Sequence, residues 1–171
     1  MNYQGILLRA LEPSDLDFLF AIENDQRLWS ISNTLIPFSK FTLKQYITNA
    51  KEDIFTAKQQ RFVISDPQHQ PMGLIDLYDF DALHHRAGVG LVIDESHRGK
   101  GLGKKALTLI EALAFQRLQL HQLYAGVAED NTASLSLFKA LGYRECGLKK
   151  DWNYYNNSYH DEVVFQKIAH V

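Results

Sequence analysis

Between Ala87 and Ala128 the chain reads as strand, glycine-rich turn, long helix and strand, and that order leaves few folds open. Ala87-Gly88-Val89-Gly90-Leu91-Val92-Ile93 is an apolar run that stops at Asp94. A turn follows at 98–103, then a helix to about residue 118. Its Leu102, Ala106, Leu109, Ile110, Leu113 and Ala114 recur at the spacing of one helical face. Residues 122–128 return as a strand. A strand–helix–strand unit in one sheet closes right-handed with its strands parallel. The flanking segments read differently. A strand at 5–9 precedes a helix at 13–25, where Pro13 suits the first turn and Asp15 and Asp17 favour the dipole. A second helix spans about 42–53. Strands at 61–65 and 72–78 flank a turn at 66–71. Asn131 is a good N-cap for a helix at 132–141, and Gly142 a good terminator. The tail reads as a hairpin, 143–149 and 160–168, around Asn156-Asn157-Ser158. The fold class is therefore α+β, with a mixed central sheet flanked by helices and the parallel unit at 87–128. No linker or repeat divides residues 1–171, which form a single domain.

Composition removes several functions. Eighteen Lys and Arg against 20 Asp and Glu give a net charge of −2, so no basic field draws the chain to nucleic acid or anionic lipid. No apolar run is long enough to span a bilayer, and no charged segment precedes an apolar one at the N-terminus. A cytoplasmic protein is expected. Cys146 is the only cysteine, and the seven histidines form no His-x-His or His-x-x-x-His pair, so no metal site is expected.

The segment Arg98-Gly99-Lys100-Gly101-Leu102-Gly103-Lys104 is the most informative. Glycines let backbone N–H groups approach an anion, and a helix N-terminus adds unpaired donors. Basic side chains surround the turn, and no carboxylate occurs from 96 to 110. This is the chemistry of a phosphate cradle. It is not a P-loop, because the first glycine of that motif would fall on Arg98 and Lys105 stands where a hydroxyl should bind magnesium. It is not a dinucleotide fingerprint either, because the third glycine comes one residue early.

The loop instead resembles the Arg/Gln-x-x-Gly-x-Gly/Ala motif of the GCN5-related N-acetyltransferases (GNAT). The opening Leu8-Arg9-Ala10-Leu11-Glu12-Pro13-Ser14-Asp15-Leu16 is similar to the family's first strand and helix. His85 to Leu91 is similar to the strand that feeds the motif. Asn131-Thr132-Ala133-Ser134 through Phe138-Lys139-Ala140-Leu141-Gly142-Tyr143 resembles its second cofactor-binding segment. The likeness spans nearly the whole chain and leans towards the ribosomal-protein-alanine and spermidine acetyltransferase branch. It implies acetyl-CoA as cosubstrate, with the pyrophosphate held by Arg98, Gly99, Lys100, Gly101, Leu102, Gly103 and Lys104. It further implies contacts from Asn131 and Lys139, and from the backbone of Leu91, Val92 and Ile93 where their strand splays from the 122–128 strand.

Acetyl transfer needs a base for the amine, donors for the carbonyl oxygen and a departing thiolate. The family's frequent acid is a tyrosine seven residues after the asparagine, which here is Phe138. Ser134 is the substitute candidate, its alternative role being a helix cap. A frequent glutamate position is Gly88. Asp76, interrupting an apolar strand, and Glu129, at a strand end, are the candidate bases; an ordered water is the third option. Trp152, Tyr154, Tyr155 and Tyr159 either pack on the sheet face or form one wall of an acceptor pocket, and packing is expected for most of them. Direct transfer in a ternary complex is expected, because Cys146 has no histidine nearby in sequence.

Residues 26–51 carry no Asp or Glu, whereas Arg27, Lys40, Lys44 and Lys51 are basic. A polycation needs carboxylates to replace lost water. The acceptor is therefore expected to be a small monoamine or a peptide N-terminus. A polyamine acceptor and a non-catalytic acyl-CoA-binding module are the alternatives, and a homodimer or higher homo-oligomer is the expected assembly.

Overall fold

The computed structural model describes residues 1–32, 34–50 and 52–169. Lys51, one of the basic residues above, lies outside them. Eight strands form one sheet: β1 (Asn2–Tyr3), β2 (Ile6–Arg9), β3 (Gln60–Ser65), β4 (Pro71–Asp81), β5 (Arg86–Ile93), β6 (Gln122–Ala128), β7 (Arg144–Tyr155) and β8 (Ser158–Ile168), in the order β1-β2-β3-β4-β5-β6-β8-β7. Only β5 and β6 run parallel. They are joined by helix α5 (Leu102–Ala112) and a wider π turn over Leu113–Arg117, so the expected helix to residue 118 changes winding near its end. The mixed sheet and its single parallel pair are as the residues imply.

Alternation along the strands assigns the two faces. Ile75 and Leu77 of β4 and Ala87 and Val89 of β5 join Ala106, Leu107 and Ile110 of α5 in the larger core. Val63 and Leu74 point the other way. They pack against Leu19 and Ile22 of α1 (Leu16–Glu23) and Leu43 and Ile47 of α3 (Lys40–Asn49). Between α1 and α3 lies α2 (Trp29–Ser32), and α4 (Ile54–Ala57) leads into β3.

Several elements differ from the sequence reading: β4 runs on to Asp81 rather than 78, the helix expected over 13–25 is regular only over Leu16–Glu23, and the one expected over 42–53 ends at Asn49. Helix α3 starts at Lys40, not 42, because Ser39 caps it, its Oγ accepting from Thr42 N at 3.0 Å. The terminal strands are longer than 143–149 and 160–168. Their register shifts between Lys149 and Asn153, where Asp151 has φ 50°, and pairing then resumes out to a two-residue turn at Asn156 and Asn157 with φ 51° and 59°. Positive φ at both residues is what a tight hairpin turn requires. Because β7 is the sheet edge, Trp152, Tyr154 and Tyr159 are 58%, 62% and 64% exposed rather than packed. Tyr155 alone of the four is shielded, stacked on His160 at 3.9 Å.

Candidate active site

Strand β5 ends at Asp94, whose carboxylate accepts from Ser96 N and caps the turn Glu95–His97. Arg98 Nε donates back to Ile93 O at 3.0 Å and Lys100 Nζ to Ser96 O at 3.0 Å, so one cation braces the loop to its own strand and the other to the turn that follows it. Gly99 and Gly101 have φ +74° and +72°, a region other residues enter only with strain. Gly101 is the N-cap of α5 and offers no side chain to the first-turn N–H groups, which are left free for an anion. A Cβ at Gly99 or Gly101 would meet nothing within 4 Å, so both face open space. Gly103 is different. A Cβ there would lie 3.0 Å from Leu137 and 3.4 Å from Leu91, so this glycine lets α5 pack onto α6 (Thr132–Ala140) and β5. Leu102 is buried in the core and can contribute only its backbone. Lys104 is exposed, whereas Lys105 Nζ is tied to Gln4 O at 2.9 Å.

β5 and β6 pair only from Arg86 with Gln122 to Gly88 with Tyr124. β5 stays on β4 as far as Ile93, and β6 stays on β8 as far as Ala128. The two parallel strands therefore part beyond Gly88. Among the described residues the β6-facing edge of β5 through Leu91, Val92 and Ile93 has no ladder partner, Ile93 O accepting only from Arg98 Nε, and backbone groups along a freed edge can bind an extended ligand.

Asn131, Ser134 and Lys139 lie on or before α6. The Asn131 carboxamide accepts from Ser134 N at 3.1 Å and is the cap, so the Ser134 hydroxyl is not. Lys139 pairs with Glu145 at 2.7 Å on the surface. Phe138 is 3% exposed, stacked on Phe165 and edge-on to Tyr143, a core residue in the place of the usual phenol. Glu129 is exposed, and its Oε1 accepts from Asp161 N at 3.3 Å.

Asp76 lies on the α1/α3 face of the sheet and is bound at both oxygens by Arg61, at 2.8 and 2.9 Å. Glu23 meets the same guanidinium at 2.5 Å, and the Tyr46 ring lies 5.6 Å from it. The sequence shows Asp76 as a lone acid in an apolar strand; its partner, fifteen residues earlier on β3, appears only through the register that sets Arg61 opposite Asp76.

Two residues that the sequence reading passed over stand on the same face. Tyr78 lays its ring against Gly88, where any Cβ would overlap it, and close to Gly90. Burial and the Glu162 charge push its pKa up to about 12, with the Gly126 N–H opposing. Glu162 rests over Gly126, its carboxyl carbon 2.6 Å from where a Cβ would be. The repeated glycines at 88 and 90 were the available signal, since small residues on one strand face admit a neighbour's large side chain.

An open groove of about 1040 Å³, lined by Arg86, Tyr124, Cys146 and Gln166 among others, lies at the opposite end of β5 from the glycine loop. Among the described residues no cluster of His, Cys, Asp and Glu could hold a metal ion, and no helix is long and apolar enough to cross a membrane.

An anion cradle at a strand–helix turn, beside a strand freed from its parallel neighbour, is the arrangement the resemblance implies for a transferase that uses an acyl carrier. The family model described as acetyltransferase (GNAT) domain matches residues 6–144, and the chain belongs to that family. It is an acetyl-CoA-dependent N-acetyltransferase, as the resemblance implies. Over 161 residues it is 29% identical to a spermidine N(1)-acetyltransferase of Vibrio cholerae, covering 94% of this chain and 91% of the relative. The corresponding enzyme of Escherichia coli K12 is 25% identical over 168 residues, covering 95% and 87%. The crystal structure of the Vibrio cholerae spermidine N-acetyltransferase with CoA and spermine superposes with a TM-score of 0.88 at 26% identity, covering 96% of this chain and 95% of that one.

Proposed function

We propose that the chain moves the acetyl group of acetyl-CoA directly to the primary amine of a small monoamine or a peptide N-terminus. The cofactor half rests on the cradle. Loop amides at Gly99, Gly101 and Gly103 meet the diphosphate, and Arg98, Lys100 and Lys104 add positive charge. Asn131 and Lys139 border the carrier, and the free edge of Leu91, Val92 and Ile93 receives the pantetheine arm and the thioester carbonyl. The Ser134 hydroxyl, not used as a cap, is in this reading the donor to the departing sulfur.

The acceptor half rests on one observation: the chain already pairs several carboxylates of that side with its own cations. Arg61 holds Glu23 and Asp76, Arg27 holds Asp25 and Glu95, and Lys40 holds Asp17. A polyamine entering there would leave charges unmatched, which is costly away from water. With both oxygens on Arg61, Asp76 serves as scaffold in this reading. Glu129 stands at the rim.

A polyamine acceptor is the second reading, and the spermidine acetyltransferase relatives favour it. Comparing kcat/KM for spermidine with that for phenylethylamine, ethanolamine and an alanine-terminated peptide decides between them. A preference for spermidine moves the function to polyamine acetylation. CoA binding without turnover on any amine would leave a binding module. The exposed Trp152, Tyr154 and Tyr159 of the outer hairpin support self-association as a homodimer or larger homo-oligomer in the cytoplasm, which light scattering reads as a mass.

A further inference from the structure

We propose that Glu162 is the carboxylate that receives the acceptor's ammonium and takes its first proton. The inference rests on the acetyltransferase reading and deepens it.

The floor of the gap between β5 and β6, on the α1/α3 face, is made of glycines. Gly88 and Gly90 lie under the Tyr78 ring, and Gly126 lies under the Glu162 carboxyl. No side chain of β5 can reach this floor at position 88, because the Tyr78 ring fills the space. A carboxylate therefore has to come from a neighbouring strand. Glu162 supplies one from β8: its backbone pairs with Ala128, and its side chain leans back over Gly126, which is itself exposed in the gap. Lys149 of β7 fixes one oxygen, Nζ to Oε1 at 2.8 Å, and is steadied by the Trp152 ring 4.4 Å away. The other oxygen, Oε2, has no hydrogen-bond partner among the described residues, although the Glu162 side chain is only 15% exposed. A shielded carboxylate with one oxygen anchored and one vacant suits a single ammonium.

Among the described residues, the groups facing Glu162 are few. Lys149 approaches from β7 and Tyr78 from β4, while β6 presents Gly126 and Ala128, which do not titrate. Along β8 the next residue on this face is His160, whose Nε2 meets the Ser158 hydroxyl at 2.8 Å and whose Nδ1 lies 4.0 Å from Asp130. Tyr124 packs edge-on to Tyr78 at 5.9 Å and donates to Asp79.

In the reaction, the ammonium gives one proton to Glu162 Oε2. The freed amine nitrogen bonds to the thioester carbon, and the carbon–sulfur bond breaks. The nitrogen's second proton replaces the one that the Ser134 hydroxyl gives to the sulfur, CoA leaves as its thiol, and Glu162 returns its proton to water. No other reactant is needed.

Two variants test this by different routes. Glu162→Gln removes the proton-accepting oxygen and keeps a partner for Lys149. Gly126→Ala keeps the charge but puts a methyl group where the flexible carboxyl lies, so the carboxylate must move. Each is assayed with acetyl-CoA and the fastest wild-type acceptor among n-butylamine, ethanolamine, phenylethylamine and spermidine. Rates are taken per CoA-binding molecule from pH 6 to 9.5. Both variants are expected to lose about 100-fold in kcat/KM at pH 7, a typical acid–base contribution. The loss should shrink as pH rises towards the amine's own pKa, with acetyl-CoA affinity within threefold of wild type. A loss constant across pH, or activity at pH 7 within threefold of wild type, would overturn the role of Glu162 while leaving the transferase intact. If one variant does not fold, the other decides. Absence of wild-type turnover on every amine would instead overturn the acetyltransferase reading, and this inference with it.

Discussion

Arg61 and Asp76 are joined by two parallel hydrogen bonds, Nε to Oδ1 at 2.8 Å and Nη2 to Oδ2 at 2.9 Å, across adjacent strands of the sheet. The guanidinium is mostly covered, and Glu23 completes its partners. A carboxylate held in this way orients an arginine better than it accepts a proton. Asp76→Asn should therefore appear first as lost stability, about 2 kcal/mol for a hydrogen bond to a charged group. Denaturant unfolding measures it. A variant of unchanged stability whose turnover falls a hundredfold would return Asp76 to the role of base.

Gly101 and Gly103 look alike in sequence and do different work. At Gly101, φ is +72° and the space beyond is open. Gly101→Val should weaken acetyl-CoA binding at least about tenfold, or 1.4 kcal/mol, as read by calorimetric titration. At Gly103 a side chain meets Leu137 and Leu91 first. Gly103→Val should destabilise by about 1–3 kcal/mol through overpacking. Equal affinity losses at matched stability would show that both glycines face the cofactor.

Ser134 and Asn131 separate in the same way. Asn131 carries the cap of α6, and Asn131→Ala should lower stability by about 1 kcal/mol. Ser134→Ala, with no cap to lose, should change stability by less than about 0.5 kcal/mol. A slower rate per folded Ser134→Ala molecule then reports on the thiolate's departure. A normal rate would mean that the sulfur leaves without this hydroxyl.

What could be read from the sequence was whatever has a short period or a local partner. The strand–helix–strand unit announced itself through apolar spacing. The cap at Asn131 and the cradle at Gly99 and Gly101 depend on neighbours within four residues. Pairings across strands were out of reach. Arg61 and Asp76, or Gly126 and Glu162, meet only after register is fixed, and register depends on which face of each strand is buried. Trp152 and Tyr154 misled for the same reason: an aromatic on a strand suggests packing until the strand proves to be an edge.

Asp15 is a buried acid on the N-terminal side, 3% exposed, and it joins two elements. It accepts from Arg9 twice at 2.7 Å and from Glu12 N at 2.8 Å, closing the first helical turn onto β2. Burial pushes its carboxyl pKa up, but Arg9 and the Glu12 N–H together outweigh burial, and the pKa lies below the ordinary value. A depressed folded pKa means that the unfolded chain takes up the proton first as pH falls. The contribution is therefore complete above the ordinary carboxylate pKa of about 3.9 and is lost as pH drops through the lower folded value. Asp15→Asn should lower stability at pH 7 by roughly 1.5–3 kcal/mol, the range for a hydrogen bond to a charged group. The gap between wild type and variant should narrow steadily below about pH 4. Urea unfolding of both proteins at pH 7, 5 and 3 measures it. A gap that stays constant down to pH 3 would mean that Asp15 acts through its shape and hydrogen bonds alone, with no part played by its charge.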